Sequence, residues 1–147
     1  LVLIIKDNIN LLRELDQNID IELYFNKKII MLNSDNEQLS RVFLNLIKNS
    51  IESIQEKSLN TVDFKGKISL EINDNHNYIE FIITDNGVGF EDFKNDIKNI
   101  LNPYFTTKEK GTGLGLAIVN KIINDHNGLI NFRSTIDGAK ILIKFTR

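Results

Sequence analysis

Residues 111–119 read GTGLGLAIV, in which three glycines at alternate positions run directly into an apolar, helix-forming stretch. Gly113 and Gly115 have no side chain to block a ligand that approaches the backbone. Free N–H groups and the dipole at a helix start attract anions, so the pattern predicts a phosphate-binding turn. A flexible entry into the helix is the alternative, although one glycine would suffice for that.

Two lysines, Lys108 and Lys110, stand just before this turn in the stretch NPYFTTKEKGTG at residues 102–113. Their ammonium groups are near enough along the chain to reach phosphate oxygens at the turn. The alternative is that they only keep a loop soluble.

A second glycine motif, DNGVGF at residues 85–90, directly follows a predicted strand. Asp85 at the strand end can accept a hydrogen bond from an exocyclic amine. Gly87 and Gly89 let the backbone turn sharply and approach a flat ligand closely. The motif therefore indicates one wall of a ligand pocket, while an ordinary Asp-Asn-Gly turn is the alternative.

A long helix is predicted from the N-cap residues Ser34 and Asp35 to about residue 55. Asn45 and Asn49 are spaced i, i+4 and so share one face of it. Their amide oxygens are hard ligands of the kind that Mg²⁺ accepts beside waters and phosphates. The alternative is a pair of solvated asparagines in a chain rich in this residue.

The remaining elements follow from hydrophobic periodicity. Together they predict an α/β (α+β) two-layer sandwich, in which three helices cover one face of a mixed, mostly antiparallel sheet. The predicted elements are a helix at 3–16, a strand at 19–25 with 28–32 as its hairpin partner, strands at 67–72 and 78–84, a loop-rich stretch at 85–113, a helix at 115–127 with Gly128 as its C′ residue, and closing strands at 129–134 and 139–145.

Composition narrows the function classes. With 147 residues, the chain has the size of one domain, so we expect a single domain over 1–147. The net charge of −2 gives no support to nucleic-acid binding, and the absence of cysteine excludes disulfides and a thiol nucleophile. The opening LVLII is too short to cross a membrane. The abrupt apolar start suggests a piece of a longer protein.

The motifs taken together resemble the N, G1, F and G2 boxes of bacterial sensor histidine kinases, and most closely those of the nitrogen-regulation (NtrY or NtrB) type. The four stretches occur in the family's order: NLIKNS, DNGVGF, PYFTTK and GTGLGLAIV. The resemblance covers essentially the whole chain. It implies the Bergerat ATP-binding fold of the superfamily that also includes gyrase, Hsp90 and MutL, with ATP and Mg²⁺ as cofactors.

Roles follow from the resemblance for each matching position. Asn49 matches the Mg²⁺ ligand, Asp85 the reader of the adenine amine, Phe105 the F-box aromatic, and residues from about 90 to 110 the ATP lid. Asn45 and Lys108 are the expected catalytic residues. The expected nucleotide-binding set is Asn45, Asn49, Asp85, Gly87, Gly89, Phe105, Thr106, Lys108, Gly111, Thr112, Gly113, Leu114, Gly115 and Leu116.

Two positions depart from the family's pattern. Many members carry Lys or Arg where this chain has Glu52, so a phosphate-contacting cation is expected from Lys48, Lys108 or Lys110. ATP-hydrolysing relatives carry a glutamate as general base where this chain has Asn45, which cannot take a proton. This favours a histidine kinase over the alternative, an ATP-hydrolysing conformational module of the gyrase, Hsp90 and MutL type. A non-enzymatic pseudokinase is a third alternative, which the intact boxes disfavour.

The resemblance also implies partners and a location. The family's phosphoacceptor histidine lies on a separate dimerisation domain, which we expect to be absent here, because His76 and His126 are outside any acceptor motif and fit surface polar roles. The isolated chain is therefore expected to be incomplete for autophosphorylation. A response regulator is expected downstream, and neither nucleic acid nor direct membrane contact is expected. The domain is expected in the cytoplasm, with its parent kinase anchored in the inner membrane.

Overall fold

Five strands form one mixed sheet in the order β1-β2-β3-β5-β4. The structure is a computed structural model that describes residues 2–13, 18–90, 97–104 and 113–147. β1 pairs parallel with β2, and the other three pairings are antiparallel. The strands are β1 Ile19–Phe25, β2 Gly66–Asp74, β3 Tyr78–Asp85, β4 Gly128–Ser134 and β5 Ala139–Thr146.

Three α-helices pack on this sheet: α1 Val2–Arg13, α2 Asn36–Ser58 and α3 Gly115–Asp125. A 3-10 helix, Ile97–Leu101, precedes α3. Alternate residues of β2 and β5 are buried, as expected when helices cover one face of a sheet. Phe43 of α2 and Phe81 of β3 meet in the core with ring centroids 4.5 Å apart. The predicted two-layer sandwich is confirmed.

The start of α2 is capped as its sequence predicts. The Asp35 side chain accepts hydrogen bonds from the backbone N–H groups of Glu37 and Gln38, at 2.9 and 3.0 Å. The helix continues to Ser58, slightly beyond the predicted end. No helix among the described residues is both long and apolar enough to cross a membrane.

The predicted hairpin between 19–25 and 28–32 is wrong. β1 finds its partner in β2, in parallel, and residues 28–32 form no strand. Ile30 is buried, but Ile29 and Met31 are 76% and 75% exposed. The segment thus places Ile30 in the core and packs Leu32 against it without forming a strand. Its apolar residues alone do not determine a pairing partner.

The end of α3 also differs from the prediction that Gly128 is its C′ residue. The C-cap is His126, and Asn127 takes the left-handed conformation with φ 54°. Asparagine tolerates this conformation better than other residues with side chains. Gly128 instead opens β4, where a Cβ would lie 2.8 Å from the Phe145 ring. Close packing of the backbone therefore explains this glycine.

Candidate functional site

Asp85 is the buried polar group at the centre of the candidate site. It ends β3 and is 5% exposed. Ser50 Oγ donates to its Oδ2 at 2.8 Å, and the Gly87 N–H donates to its Oδ1 at 3.0 Å. Burial raises the pKa of the Asp85 carboxyl, and the hydrogen bonds from Ser50 and Gly87 oppose that rise. The two donors orient the carboxylate before any ligand arrives.

Gly87 and Gly89 are both required by close contacts of the loop after β3. A Cβ on Gly87 would collide with the side chain and backbone of Ser53. Gly89 has φ +73°, and a Cβ there would lie 2.7 Å from the Gly138 carbonyl oxygen. The loop is thus wedged between α2 and the β4–β5 turn, which any larger residue would push apart.

Asn86 anchors the same loop to the start of β2. Its Oδ1 accepts from the Lys67 N–H at 2.7 Å, and its Nδ2 donates to the Lys65 carbonyl at 2.8 Å. Both capacities of the amide are therefore used within the fold. Asn86 therefore stabilises the conformation of the motif through hydrogen bonds to the backbone before and within β2.

Two α2 residues hold the loop from the other side. Ser53 Oγ accepts from the Val88 N–H at 3.0 Å. Lys57 Nζ donates to the Gly87 carbonyl at 3.1 Å and also to the carbonyl of Asp137. With Ser50, these residues were missed in the sequence because their partners are about 30 or more positions away. Their helical spacing, i, i+3 and i+7, is the only signal that could have indicated them.

Asn45 lies where α2 meets the start of α3. Its Nδ2 donates to the Arg41 carbonyl one turn earlier, at 2.8 Å. Its Oδ1 faces α3 so closely that a Cβ on Gly115 would lie 3.0 Å away. Glycine at 115 therefore lets the two helices approach, and Asn45 stands beside the first turn of α3.

Asn49 occupies the next turn of α2 and is half-buried. Within the part of the chain that the structure describes, its amide makes no hydrogen bond. Lys48 beside it is 63% exposed, with its Nζ 3.9 Å from Glu52 Oε1. Asn49 therefore has an amide oxygen available to a ligand or a metal.

The start of α3 has the features of an anion site. Its N-cap residue is Leu114, which has no side-chain acceptor for the first N–H groups of the helix. Gly115 and Leu116 contribute two of these N–H groups. Gly113 just before them has φ +66°. A glycine turn before a helix start whose N-cap residue makes no side-chain hydrogen bond suits phosphate oxygens.

One backbone bond joins the two ends of the stretch that leads into α3. The Tyr104 N–H donates to the Gly113 carbonyl at 3.0 Å, and Tyr104 has φ 66°. Five of the predicted site residues lie outside the described residues, namely Phe105, Thr106, Lys108, Gly111 and Thr112. The same is true of Lys110 and of most of the predicted lid.

Asp85, Asn45 and the start of α3 therefore converge around one helix, α2. The family model of histidine kinase-, DNA gyrase B- and HSP90-like ATPases matches residues 34–146. The chain belongs to this ATPase family. The matched range includes every residue of the site described above.

Two relatives of this ATPase domain illustrate the branch of the family. Sporulation kinase A of Bacillus subtilis (strain 168) is 35% identical over 114 residues, which are 78% of this chain and 17% of that protein. The putative NtrY-like sensor histidine kinase of Rickettsia felis is 33% identical over 146 residues, which are 99% of this chain and 23% of that protein. The chain thus spans about a fifth of the length of these relatives.

The fold of this ATPase domain is that of a solved histidine kinase. The structure of the catalytic domain of histidine kinase ThkA matches with a TM-score of 0.83 at 28% identity, covering 99% of this chain and 91% of that one. The resemblance to sensor histidine kinases, the NtrY type included, is confirmed, as is the predicted fold.

Proposed function

We propose that the chain binds Mg²⁺-ATP and delivers its γ-phosphate to a histidine on a separate dimerisation domain, as the catalytic half of a two-component sensor kinase. The observation that carries the proposal is that α2 contacts two features suited to the two ends of a nucleotide, since Ser50 donates to Asp85 and Asn45 faces Gly115. The first feature is the buried carboxylate of Asp85, and the second is the start of α3, whose N-cap residue Leu114 makes no side-chain cap hydrogen bond.

The adenine end of the proposed site is built around Asp85. Ser50 donates to Oδ2 and Gly87 to Oδ1, and the Ala139 N–H also hydrogen-bonds the carboxylate. A carboxylate has about four acceptor positions, so at least one is left for a ligand. An exocyclic amine of a purine is a suitable donor to that remaining acceptor position. Because the site is buried, such a hydrogen bond is worth more than one at the surface.

The phosphate end is proposed at the start of α3, with Mg²⁺ on Asn49. Backbone N–H groups at Gly115 and Leu116 would donate to phosphate oxygens. The Asn49 amide fits the metal, since its oxygen is uncharged, hard and without a hydrogen-bond partner within the described residues. Bound Mg²⁺ would neutralise phosphate charge during transfer. The proposed phosphate-contacting cation is Lys48, Lys108 or Lys110. The remaining proposed nucleotide contacts are Phe105, Thr106, Gly111 and Thr112.

Asn45 distinguishes this function from ATP hydrolysis by the gyrase and Hsp90 branch. An amide has no basic oxygen at neutral pH and cannot activate a water. The side-chain Nδ2 of Asn45 also donates a hydrogen bond to the Arg41 carbonyl. The proposed role of Asn45 is therefore to position the nucleotide, while the proton acceptor is supplied with the histidine substrate.

The proposed setting is a longer sensor kinase. A dimerisation and phosphoacceptor domain of the same protein would receive the phosphate, and a response regulator would take it onward. We place the domain in the cytoplasm, and its parent in the inner membrane. The relatives named above are kinases several times longer than this chain, which supports this setting.

The test is calorimetry followed by phosphotransfer. The chain should bind the non-hydrolysable analogue AMPPNP with Mg²⁺, and bind it more weakly when EDTA removes the metal. With labelled ATP, it should phosphorylate a histidine-bearing dimerisation domain supplied in trans. If the chain binds AMPPNP and releases phosphate steadily from ATP but labels no histidine, the result would instead support the ATPase alternative.

A further inference from the structure

His126 connects the C-terminal end of α3 to the N-terminal end of α2. The Asp35 backbone N–H donates to His126 Nε2 at 3.0 Å, across 91 positions of sequence. His126 Nδ1 lies 2.8 Å from the Ile122 carbonyl oxygen one turn earlier in α3. The imidazole is half-buried. The sequence predicts a surface polar role for His126, and the structure adds that its ring has two backbone partners, one of them at the start of α2.

The partners determine the tautomer of the ring. A backbone N–H can only donate, so Nε2 must be the unprotonated nitrogen that accepts it. A carbonyl can only accept, so Nδ1 carries the proton and donates to Ile122. Both ring nitrogens are thereby used, one within α3 and one between the helices.

The same two helices also approach each other closely between Asn45 and Gly115. Asn45 follows Asp35 by 45 − 35 = 10 positions, which is about 15 Å of helix at about 1.5 Å per residue. Gly115 precedes His126 by 126 − 115 = 11 positions, or about 16 Å. The two helices therefore run antiparallel between two contacts at nearly equal spacing.

We propose that His126 is a positioning residue that sets the lengthwise register of α3 against α2. The start of α3 is the proposed phosphate cradle, and α2 carries the proposed Mg²⁺ ligand Asn49. If α3 slid along α2, the cradle would move relative to Asn49 and leave Asp85 in place. The inference rests on the proposed function for its effect on nucleotide, but the register itself does not depend on it.

A pair of variants separates the two bonds of His126. In His126→Asn the amide can still donate to Ile122 but is too short to reach Asp35. In His126→Gln the longer side chain can again present an oxygen to the Asp35 N–H. If His126 only caps α3, His126→Asn should behave like the wild type. If His126 joins the two helices, His126→Asn should lose that function and His126→Gln should regain it.

The first measurement is nucleotide binding by the full chain. His126→Asn should weaken Mg²⁺-AMPPNP binding about tenfold, equivalent to about 1.4 kcal/mol. Adenosine, which has no phosphates, should bind within about twofold of wild type, the order of change expected when no contact is lost. His126→Gln should restore Mg²⁺-AMPPNP binding. Equal loss of both ligands, or equal behaviour of the Asn and Gln variants, would overturn the proposal.

The second measurement does not require a ligand. The sequence has no cysteine, so two cysteines introduced at exposed Arg41 and Lys121 can carry the only spin labels. In the nucleotide-free protein, His126→Asn should shift or broaden the distance distribution between the labels, and His126→Gln should not. An unchanged distance distribution in His126→Asn would overturn the register role, whether or not the chain binds nucleotide. A failure of the chain to bind nucleotide would contradict only the proposed function.

The Asp35 side offers a matched check. Its φ of −77° suits proline, which has no N–H. Asp35→Pro and Asp35→Ala both remove the capping carboxylate, but only the proline variant removes the donor to His126. Asp35→Pro should therefore reproduce the label shift of His126→Asn, and Asp35→Ala should not. A shift of the same size in both would assign the effect to the cap and contradict the proposal.

Discussion

Ser50 Oγ donates a 2.8 Å hydrogen bond to Asp85 Oδ2, which joins helix α2 to the end of strand β3. The bond has two consequences for Asp85. It favours the ionised carboxyl against the burial that raises its pKa, and it fixes the direction in which the remaining lone pairs point.

Removing the Ser50 hydroxyl should change the pH dependence of nucleotide binding. An ionised Asp85 accepts from the adenine amine, so affinity should fall as the pH falls through the pKa of Asp85. Ser50→Ala removes a bond that lowers this pKa, so the loss should begin at a higher pH than in wild type. Calorimetry over a pH series measures it. Ser58→Ala, which loses only an exposed bond to the Gln55 carbonyl, is the control. Identical pH profiles for the two variants would contradict the prediction.

Asp85 itself should account for a large part of adenine recognition. Asp85→Asn replaces one acceptor oxygen with a donor that faces the ligand amine. The expected loss is about 1.5–3 kcal/mol, or roughly ten- to a hundredfold in ATP affinity. Titration calorimetry tests this, with circular dichroism to verify the fold. Asp125→Asn, which changes an exposed carboxylate paired with Lys121, should bind ATP normally. Unchanged affinity in a folded Asp85→Asn would rule out the assignment.

Asn49→Ala should separate metal-dependent chemistry from adenine binding. The variant should lose most Mg²⁺-dependent phosphotransfer to an acceptor domain, because the metal loses its only proposed protein ligand. Nucleotide binding in EDTA should change little, since Asp85 and its donors are untouched. Asn131→Ala, on an exposed position of β4, is the matched control. Phosphotransfer near the wild-type rate in Asn49→Ala would show that the metal is held elsewhere.

Asn45 should keep the isolated chain from hydrolysing ATP. The wild-type chain should bind ATP and release phosphate near the uncatalysed rate, because general-base assistance worth about 10²–10⁴ in rate is missing. Phosphate release by the chain alone is the measurement. Steady turnover that Asn49→Ala abolishes would favour an ATPase instead. Asn45→Glu provides a further comparison, since an increase would indicate a pocket that lacks only its base.

Local features of the protein could be predicted from the sequence because they depend on neighbouring residues. The Asp35 cap, the apolar face of α2 and the alternation in β2 and β5 each arise within a few positions. Asp85, Gly87 and Gly89 could be proposed as site residues for the same reason, since a strand end followed by two glycines is itself a local signal.

Contacts between distant parts of the chain were decided only by the tertiary structure. A strand has two edges, and periodicity does not say which partner each edge finds, so β1 pairs in parallel with β2 rather than with residues 28–32. The bonds of Ser50 to Asp85 and of His126 to Asp35 span 35 and 91 positions. Serine and histidine on a helix have no distinguishing local pattern. Their roles exist only because packing the helices on the sheet brings a donor and an acceptor within hydrogen-bond distance.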